Sequence, residues 1–138
     1  MKNKIILLAC SVFIVGLATV ATPGIAQPQQ PGTKRTELQR HDLSTPGWEV
    51  IQARVDFDPA AVFSRHRHPG EEIIYVLEGM LEYRVEGKPP VTLKAGDVFF
   101  IPTGVAHSAR NVGSGKAVEL ATYVVEKGKP LVTFIHQP

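Results

Sequence analysis

Three features of this 138-residue sequence predict an all-β fold. Apolar residues alternate with polar ones in several short runs, β-branched residues are frequent in those runs, and segments containing Pro or Gly separate them. From Glu37 onward, no stretch of a dozen residues places apolar residues at the i, i+3, i+4 and i+7 spacing of an amphipathic helix. Because the turn signals recur at short intervals, the sequence favours a sandwich or a barrel.

The first 26 residues have the three-part form of a secretory signal peptide. A short, positively charged start precedes an apolar run over residues 5–21, and Gly24-Ile25-Ala26 provides small residues for cleavage. We therefore predict that residues 1–26 are removed by cleavage near Ala26, which leaves a periplasmic or secreted protein. The alternative is an uncleaved anchor in the inner membrane.

The next segment, residues 27–36, is predicted to be a linker. Its first eight residues are polar and rich in Gln and Pro, and they show no apolar periodicity. The folded domain is then expected over residues 37–138, a length that is typical of one domain with one core.

The clearest strand is predicted at residues 48–57, where four apolar side chains alternate with three polar ones. The apolar face consists of Ile51, Ala53, Val55 and Phe57, and the opposite face of Gln52, Arg54 and Asp56. Apolar and β-branched runs predict further strands at 72–78, 80–86, 91–94, 97–101, 106–111, 117–126 and 131–135. Gly79 lies between the first two of these runs and suits a tight turn.

Charge and cysteine content exclude several classes of function. Lys2 and Lys4 account for the excess of two positive charges, so the rest of the chain is formally neutral. A neutral domain without a basic run lacks the electrostatic potential that binds a phosphate backbone, and no nucleic-acid partner is expected. Membrane contact is expected only through the N-terminal segment. That segment also contains the only cysteine, Cys10, so the mature domain has no disulfide and no cysteine–tyrosine cross-link.

Two histidines and a carboxylate suggest a metal site. His66 and His68 are two residues apart, so on a strand both imidazoles point to the same face, and Glu72 follows four residues later. Imidazole and carboxylate ligands suit Fe(II), Mn(II), Ni(II), Cu(II) or Zn(II). Taken alone, the His-x-His triplet is more typical of two surface histidines among arginines than of a metal site.

A second group of residues follows at fixed intervals. Five, one, two and three residues separate its members, which are Gly96, Pro102, Gly104, His107 and Asn111. Together with the first group, this pattern resembles the two sequence motifs of the cupin superfamily. The first motif also contains a glycine after the glutamate, and Gly79 stands at that interval. The glycine that usually opens the first motif is Ala60 here, which puts the local turn in question rather than the site.

The resemblance covers residues 45–126, with both motifs within residues 60–111. It is to small single-domain bacterial cupins of the type-2 conserved-barrel, quercetin-dioxygenase-like kind. It implies a single jelly-roll β-barrel in which one divalent transition metal is bound by His66, His68, Glu72 and His107. The metal would keep one or two open positions for a small-molecule substrate.

The resemblance implies two further features. Glu72 would act as a general base if it moved away from the metal. A homodimer is also expected, because many small cupins pair their barrel edges. The metal is left open among iron, manganese, nickel, copper and zinc.

The predicted function is that of an exported, metal-dependent oxidoreductase, most simply a dioxygenase-like enzyme acting on a small oxygenated organic molecule. One alternative is a non-catalytic cupin that binds a metal or a small ligand as a sensor, scavenger or accessory protein. Another is a metal-assisted isomerase, lyase or decarboxylase. Neither the substrate nor the metal follows from the sequence.

Overall fold

The computed structural model describes residues 30–135, which form ten β-strands. The predicted signal peptide, residues 27–29 and residues 136–138 lie outside the described residues. The strands are β1 (Thr33–Asp42), β2 (Trp48–Phe57), β3 (Val62–Arg67), β4 (Gly70–Glu78), β5 (Met80–Val85), β6 (Val91–Lys94), β7 (Val98–Ile101), β8 (His107–Asn111), β9 (Ala117–Glu126) and β10 (Thr133–Phe134).

The strands form two five-stranded sheets in a jelly roll. Sheet A has the order β1-β2-β9-β4-β7, and sheet B has the order β10-β3-β8-β5-β6. Every pair of neighbouring strands is antiparallel. The predicted all-β jelly-roll fold is therefore confirmed. Within residues 30–135, no helical segment has the length and apolar character needed to cross a bilayer.

The alternation of apolar residues positions the core as predicted. The inward side chains of β2 are buried, whereas Arg54 lies on the outer face and pairs with Asp56 at 2.8 Å. Ile74 and Val76 of β4 point inward with Glu72, and Ala109 of β8 points inward with His107. The two inner faces thus enclose an apolar core that includes the candidate metal ligands.

The first strand differs from the prediction for residues 27–36. β1 begins at Thr33, so residues 33–36 are strand rather than linker, and the described fold begins before residue 37. β1 pairs with β2 along its whole length, from Thr33 opposite Phe57 to Asp42 opposite Glu49. It was not predicted because most of its side chains are polar and exposed, so the segment has no apolar alternation. Backbone pairing to β2 holds it in place instead.

Ala60 adopts the left-handed backbone conformation, with a φ of 62°. It lies in the turn between β2 and β3, where the Ala61 N–H donates a hydrogen bond to the Asp58 carbonyl. Glycine adopts this conformation without a steric penalty, whereas the Cβ of alanine approaches its own backbone. Glycine is therefore favoured at this motif position because the backbone is left-handed there, and the backbone of Ala60 is strained.

We expect Ala60→Gly to raise the free energy of unfolding by about 0.5–1 kcal/mol. Relief of the left-handed strain contributes about 1–2 kcal/mol, and the greater freedom of glycine in the unfolded chain offsets part of it. Thermal unfolding should show a midpoint a few degrees higher. Ala61→Gly is the matched control and should lower the midpoint, because Ala61 has no left-handed strain to relieve. An unchanged or lower midpoint for Ala60→Gly would contradict the prediction.

Candidate metal centre

The two sheets bring the four predicted ligands together. His66 on β3 and His107 on β8 are direct cross-strand partners, so both side chains leave the same face of sheet B. Their ring centroids are 4.2 Å apart. His68 follows β3 directly, and Glu72 approaches from β4 of sheet A. The four candidate ligands therefore lie together at the inner faces of the two sheets.

The ligand atoms lie within a few ångströms of one another. His66 Nε2 is 3.1 Å from His68 Nε2, and Glu72 Oε2 is 3.3 Å from His68 Nε2 and 3.1 Å from His107 Nε2. All four residues are at most 5% exposed. Four donor atoms are thus held around one point that water reaches poorly.

Backbone carbonyls orient all three imidazoles. The Nδ1 atoms of His66, His68 and His107 lie 2.7, 2.6 and 3.0 Å from the carbonyl oxygens of Ser64, Leu131 and Val105. A carbonyl only accepts hydrogen bonds, so each Nδ1 carries the proton and each Nε2 of a neutral ring presents a lone pair to the centre. This is the arrangement that orients histidine ligands at metal sites.

The cluster fits a bound cation on its own chemistry. Among the described residues, Glu72 Oε2 and His107 Nε2 are buried without a hydrogen-bond partner. Lone pairs that face one another in a buried site are destabilising unless a proton or a cation lies between them. His66, His68 and His107 therefore form a site for one divalent transition metal.

The pKa shifts favour the ligating forms. Burial, followed by the neighbouring His107 and His68, lowers the pKa of His66 from 6.5 to about 3, so the ring is neutral at physiological pH. Burial opposes ionisation of Glu72, but His68 and His107 outweigh it and hold the pKa of Glu72 below its ordinary value. The centre therefore offers a neutral imidazole at His66 and a carboxylate at Glu72.

A cavity of about 310 Å³, counted up to its open mouth, adjoins the centre. Besides the four predicted ligands, the lining residues are Arg35, Val55, Phe57, Phe63, Tyr83, Ala109, Glu119 and Tyr123. Most of the cavity surface is apolar, and its polar groups come from the candidate ligands, Arg35, Glu119 and the two tyrosines.

Sequence reasoning missed four polar residues of this cavity, which are Arg35, Tyr83, Glu119 and Tyr123. Glu119 had a detectable signal, because it occupies an inward position of β9 between the buried Ala117 and Ala121. A carboxylate at a buried position of an alternating strand is uncommon and indicates a specific role. Arg35 had no such signal, since its strand was not recognised.

Glu119 and Tyr83 form a buried pair across the two sheets. The Tyr83 hydroxyl donates a hydrogen bond to Glu119 Oε2. Burial, followed by the negative charge of Glu72, raises the pKa of Glu119 from 4.5 to about 8. Glu119 is therefore mostly protonated and uncharged at neutral pH.

The metal-free protein is expected to lose about 1 kcal/mol of unfolding free energy between pH 7 and pH 8. In this window Glu119 is ionised in the unfolded chain but largely protonated in the folded one. The folded state therefore binds more protons, and stability falls as pH rises. His66 and Glu72 have pKa values that are lowered on folding, so their effects occur at lower pH.

Urea unfolding of the metal-free protein at pH 7 and pH 8 measures this loss. Glu119→Gln should abolish it, because glutamine has no proton to release in either state. Glu78→Gln serves as the control, since Glu78 is exposed at the end of β4. Equal pH dependence in wild type and Glu119→Gln would show that another group is responsible.

Asn111 of the second motif has a structural role. The Asn111 side-chain amide donates hydrogen bonds to the carbonyls of Phe57, Asp58 and Gly115, and its oxygen accepts one from the Gly113 N–H. It thereby ties the turn after β8 to the end of β2. His41, which lies outside both motifs, is exposed on β1 and takes no part in the centre.

Comparison with known proteins gives several related sequences. A dimethylsulfoniopropionate lyase of Ruegeria pomeroyi is 41% identical over 63 residues, which are 45% of this chain and 31% of the lyase. An oxalate-binding protein of Thermotoga maritima is 38% identical over 74 residues, which are 53% of this chain and 60% of that protein. The matches therefore span only part of each relative.

Solved structures and family profiles agree with the fold. The structure of an oxalate oxidase in complex with the substrate analogue glycolate superposes with a TM-score of 0.62 at 30% identity. The superposition covers 75% of this chain and 55% of the oxidase chain. The profile described as "Cupin domain" matches residues 53–133, which contain all four predicted ligands and more than half of the sequence. On these grounds the chain belongs to the cupin family.

Proposed function

We propose that this chain is a metal-dependent oxidoreductase of the dioxygenase-like kind, which acts on a small oxygenated organic molecule. The observation that carries the proposal is the convergence of three Nε2 atoms and one carboxylate oxygen beside a small cavity. In a structural metal site, protein side chains more often fill every coordination position, and no cavity adjoins the metal. The similarity to an oxalate oxidase supports redox chemistry rather than a purely structural metal.

His66, His68 and His107 would hold the metal, with Glu72 as the fourth ligand. A divalent transition metal bound there supplies Lewis-acid activation of a substrate oxygen and, if it is redox-active, electron transfer with dioxygen. Three neutral imidazoles and one carboxylate leave a net charge of about +1 on such a centre. Iron, manganese, nickel and copper fit the redox proposal, whereas zinc fits only the non-redox alternatives.

Aromatic side chains shield the centre from solvent. The Phe63 ring meets the edge of His66 at a centroid distance of 4.7 Å, and Phe134 stacks on Phe63 at 5.8 Å. On the other side, the ring of Tyr123 lies 4.8 Å from that of His68. These contacts fix the rings of His66 and His68 and exclude water from the ligand atoms. A dry, rigid centre strengthens the electrostatic interactions of any ligand that enters it.

Export belongs to the proposal and rests on the sequence alone. Cleavage near Ala26 would place the folded domain in the periplasm or outside the cell. Intact-mass measurement of the protein from the periplasmic fraction tests it, because a cleaved chain begins near Gln27 and an anchored chain retains residues 1–26.

Oxygen uptake tests the proposed activity. The protein, purified without a metal-chelating tag, is loaded separately with Fe(II), Mn(II), Ni(II) or Cu(II) and incubated with small hydroxy acids, keto acids and phenols. We expect oxygen consumption that matches product formation for at least one metal and substrate, and none in the metal-free protein. Uptake that is equal with and without metal would contradict the proposal.

The same screen separates the alternatives. Substrate turnover without oxygen consumption would indicate a lyase, decarboxylase or isomerase. Binding that raises the unfolding midpoint without turnover would indicate a non-catalytic protein. The similarity to an oxalate-binding protein favours the non-catalytic alternative as the second candidate.

A further inference from the structure

The side chain of Arg35 lines the same cavity as the metal centre. Arg35 lies on β1 opposite Val55 of β2, and Val55 in turn lies opposite Glu119 of β9. The three residues therefore form one row across sheet A, with their side chains on its inward face. A guanidinium group is thus brought into the cavity by the strand that the sequence did not predict.

This guanidinium lacks the carboxylate partner that most of the other described arginines have. Among the described residues, Arg35 Nη1 is buried without a hydrogen-bond partner, and no carboxylate forms an ion pair with Arg35. By contrast, Arg40 pairs with Glu49 at 2.8 Å, and Arg54 pairs with Asp56. The arginine side chain stays charged in proteins, and a buried cationic N–H without an acceptor is costly.

Glu119 does not supply the missing counter-charge. Val55 separates it from Arg35 in the row, and its carboxyl group accepts a hydrogen bond from Tyr83 instead. Glu72 carries a negative charge, but it belongs to the ligand set of the metal centre. Once a divalent cation is bound, the cavity therefore contains more positive than negative charge. Such a cavity favours an anionic ligand.

We propose that Arg35 binds a carboxylate group of the ligand, so that the substrate is a small carboxylic acid with a second oxygen directed to the metal centre. Guanidinium and carboxylate groups match in geometry and form charge-assisted hydrogen bonds. The enclosed part of the cavity is small, which favours an acid of a few carbon atoms. This inference names the substrate class of the proposed function. It rests on that function for the second oxygen, which is directed to the metal.

Equilibrium dialysis with radiolabelled glycolate and its uncharged amide, glycolamide, tests the inference. Both probes are measured with wild type, Arg35→Gln and Arg35→Lys, each in the Mn(II)-loaded and the metal-free form. We expect Arg35→Gln to weaken glycolate binding by about 10-fold or more and glycolamide binding by less than about 3-fold. Arg35→Lys should lose less glycolate affinity than Arg35→Gln, since lysine keeps the positive charge but lacks the two parallel N–H donors of a guanidinium group. Metal content should be equal in all three proteins.

Arg54→Gln is the matched control, because Arg54 lies on the outer face of β2 and should leave both affinities unchanged. Equal glycolate affinity in wild type and Arg35→Gln would overturn the inference. So would wild-type protein that binds glycolate no better than glycolamide, or that binds glycolate in neither form. A chain that binds no manganese but still binds glycolate through Arg35 would overturn the proposed function while leaving the role of Arg35 intact.

Discussion

Replacing His107 by alanine is expected to reduce the bound metal from about one equivalent per chain to less than about a tenth. His107 is 1% exposed, and its Nε2 lies 3.1 Å from Glu72 Oε2, so no other described side chain can take its place. Loss of a side chain that coordinates the metal should weaken metal binding by about 100-fold or more. Loss of a residue that only hydrogen-bonds to a ligand already lowers metal affinity by about 10- to 100-fold. His66→Ala should have the same effect.

Elemental analysis of protein purified without a metal-chelating tag measures this effect directly. His41→Ala is the matched control, because His41 is an exposed histidine on β1 and should leave the metal content unchanged. Full metal content in purified His66→Ala and His107→Ala would show that the metal is bound elsewhere, and the proposed centre would then be wrong.

Gly70→Ala is expected to lower the free energy of unfolding by about 3 kcal/mol or more. Gly70 opens β4 opposite Val125 of β9. A Cβ at this position would lie 2.0 Å from the Val124 carbonyl oxygen and 2.7 Å from the Val125 Cα. Both are backbone atoms of a central strand, which cannot move aside as a flexible side chain would. The two strands would have to separate where β4 begins.

The midpoint of thermal unfolding should fall by more than about 10 °C. Metal content should fall as well, because Gly70 stands between His68 and Glu72. Gly115→Ala is the matched control: a Cβ there meets no atom within 4 Å and the backbone is not left-handed, so the free energy should change by less than about 0.5 kcal/mol. Similar losses in both variants would contradict the packing argument.

Much of the fold, and the grouping of His66, His68 and Glu72 as candidate ligands, could be predicted because the relevant signals are local. The alternation in β2 reports which side chains are buried. His66 and His68 are two residues apart, and Glu72 follows four residues after His68, across the short turn that joins β3 to β4. The positions of His66 and His107 relative to each other depend on strand pairing. Periodicity does not predict that pairing, and the resemblance to the cupin motifs indicated it instead.

The missed features depend on contacts between distant segments. β1 is a polar edge strand whose place is determined by pairing with β2, so its own residues carry no apolar pattern. Arg35 reaches the cavity only through that pairing. Tyr83 and Glu119 belong to different sheets, and their hydrogen bond forms only when the two sheets close on each other. The periodicity of a single sequence does not predict such contacts.

The three backbone carbonyls that hold the imidazoles have an evolutionary consequence. A main-chain oxygen is present whatever residue occupies the position, so substitutions at Ser64, Val105 or Leu131 that preserve the local backbone keep the ring orientation. The polar residues that line the cavity beyond the candidate ligands, such as Arg35 and Glu119, lie on other strands. Metal retention and ligand choice can therefore drift independently, and a descendant of this chain could acquire a new substrate without first losing its metal.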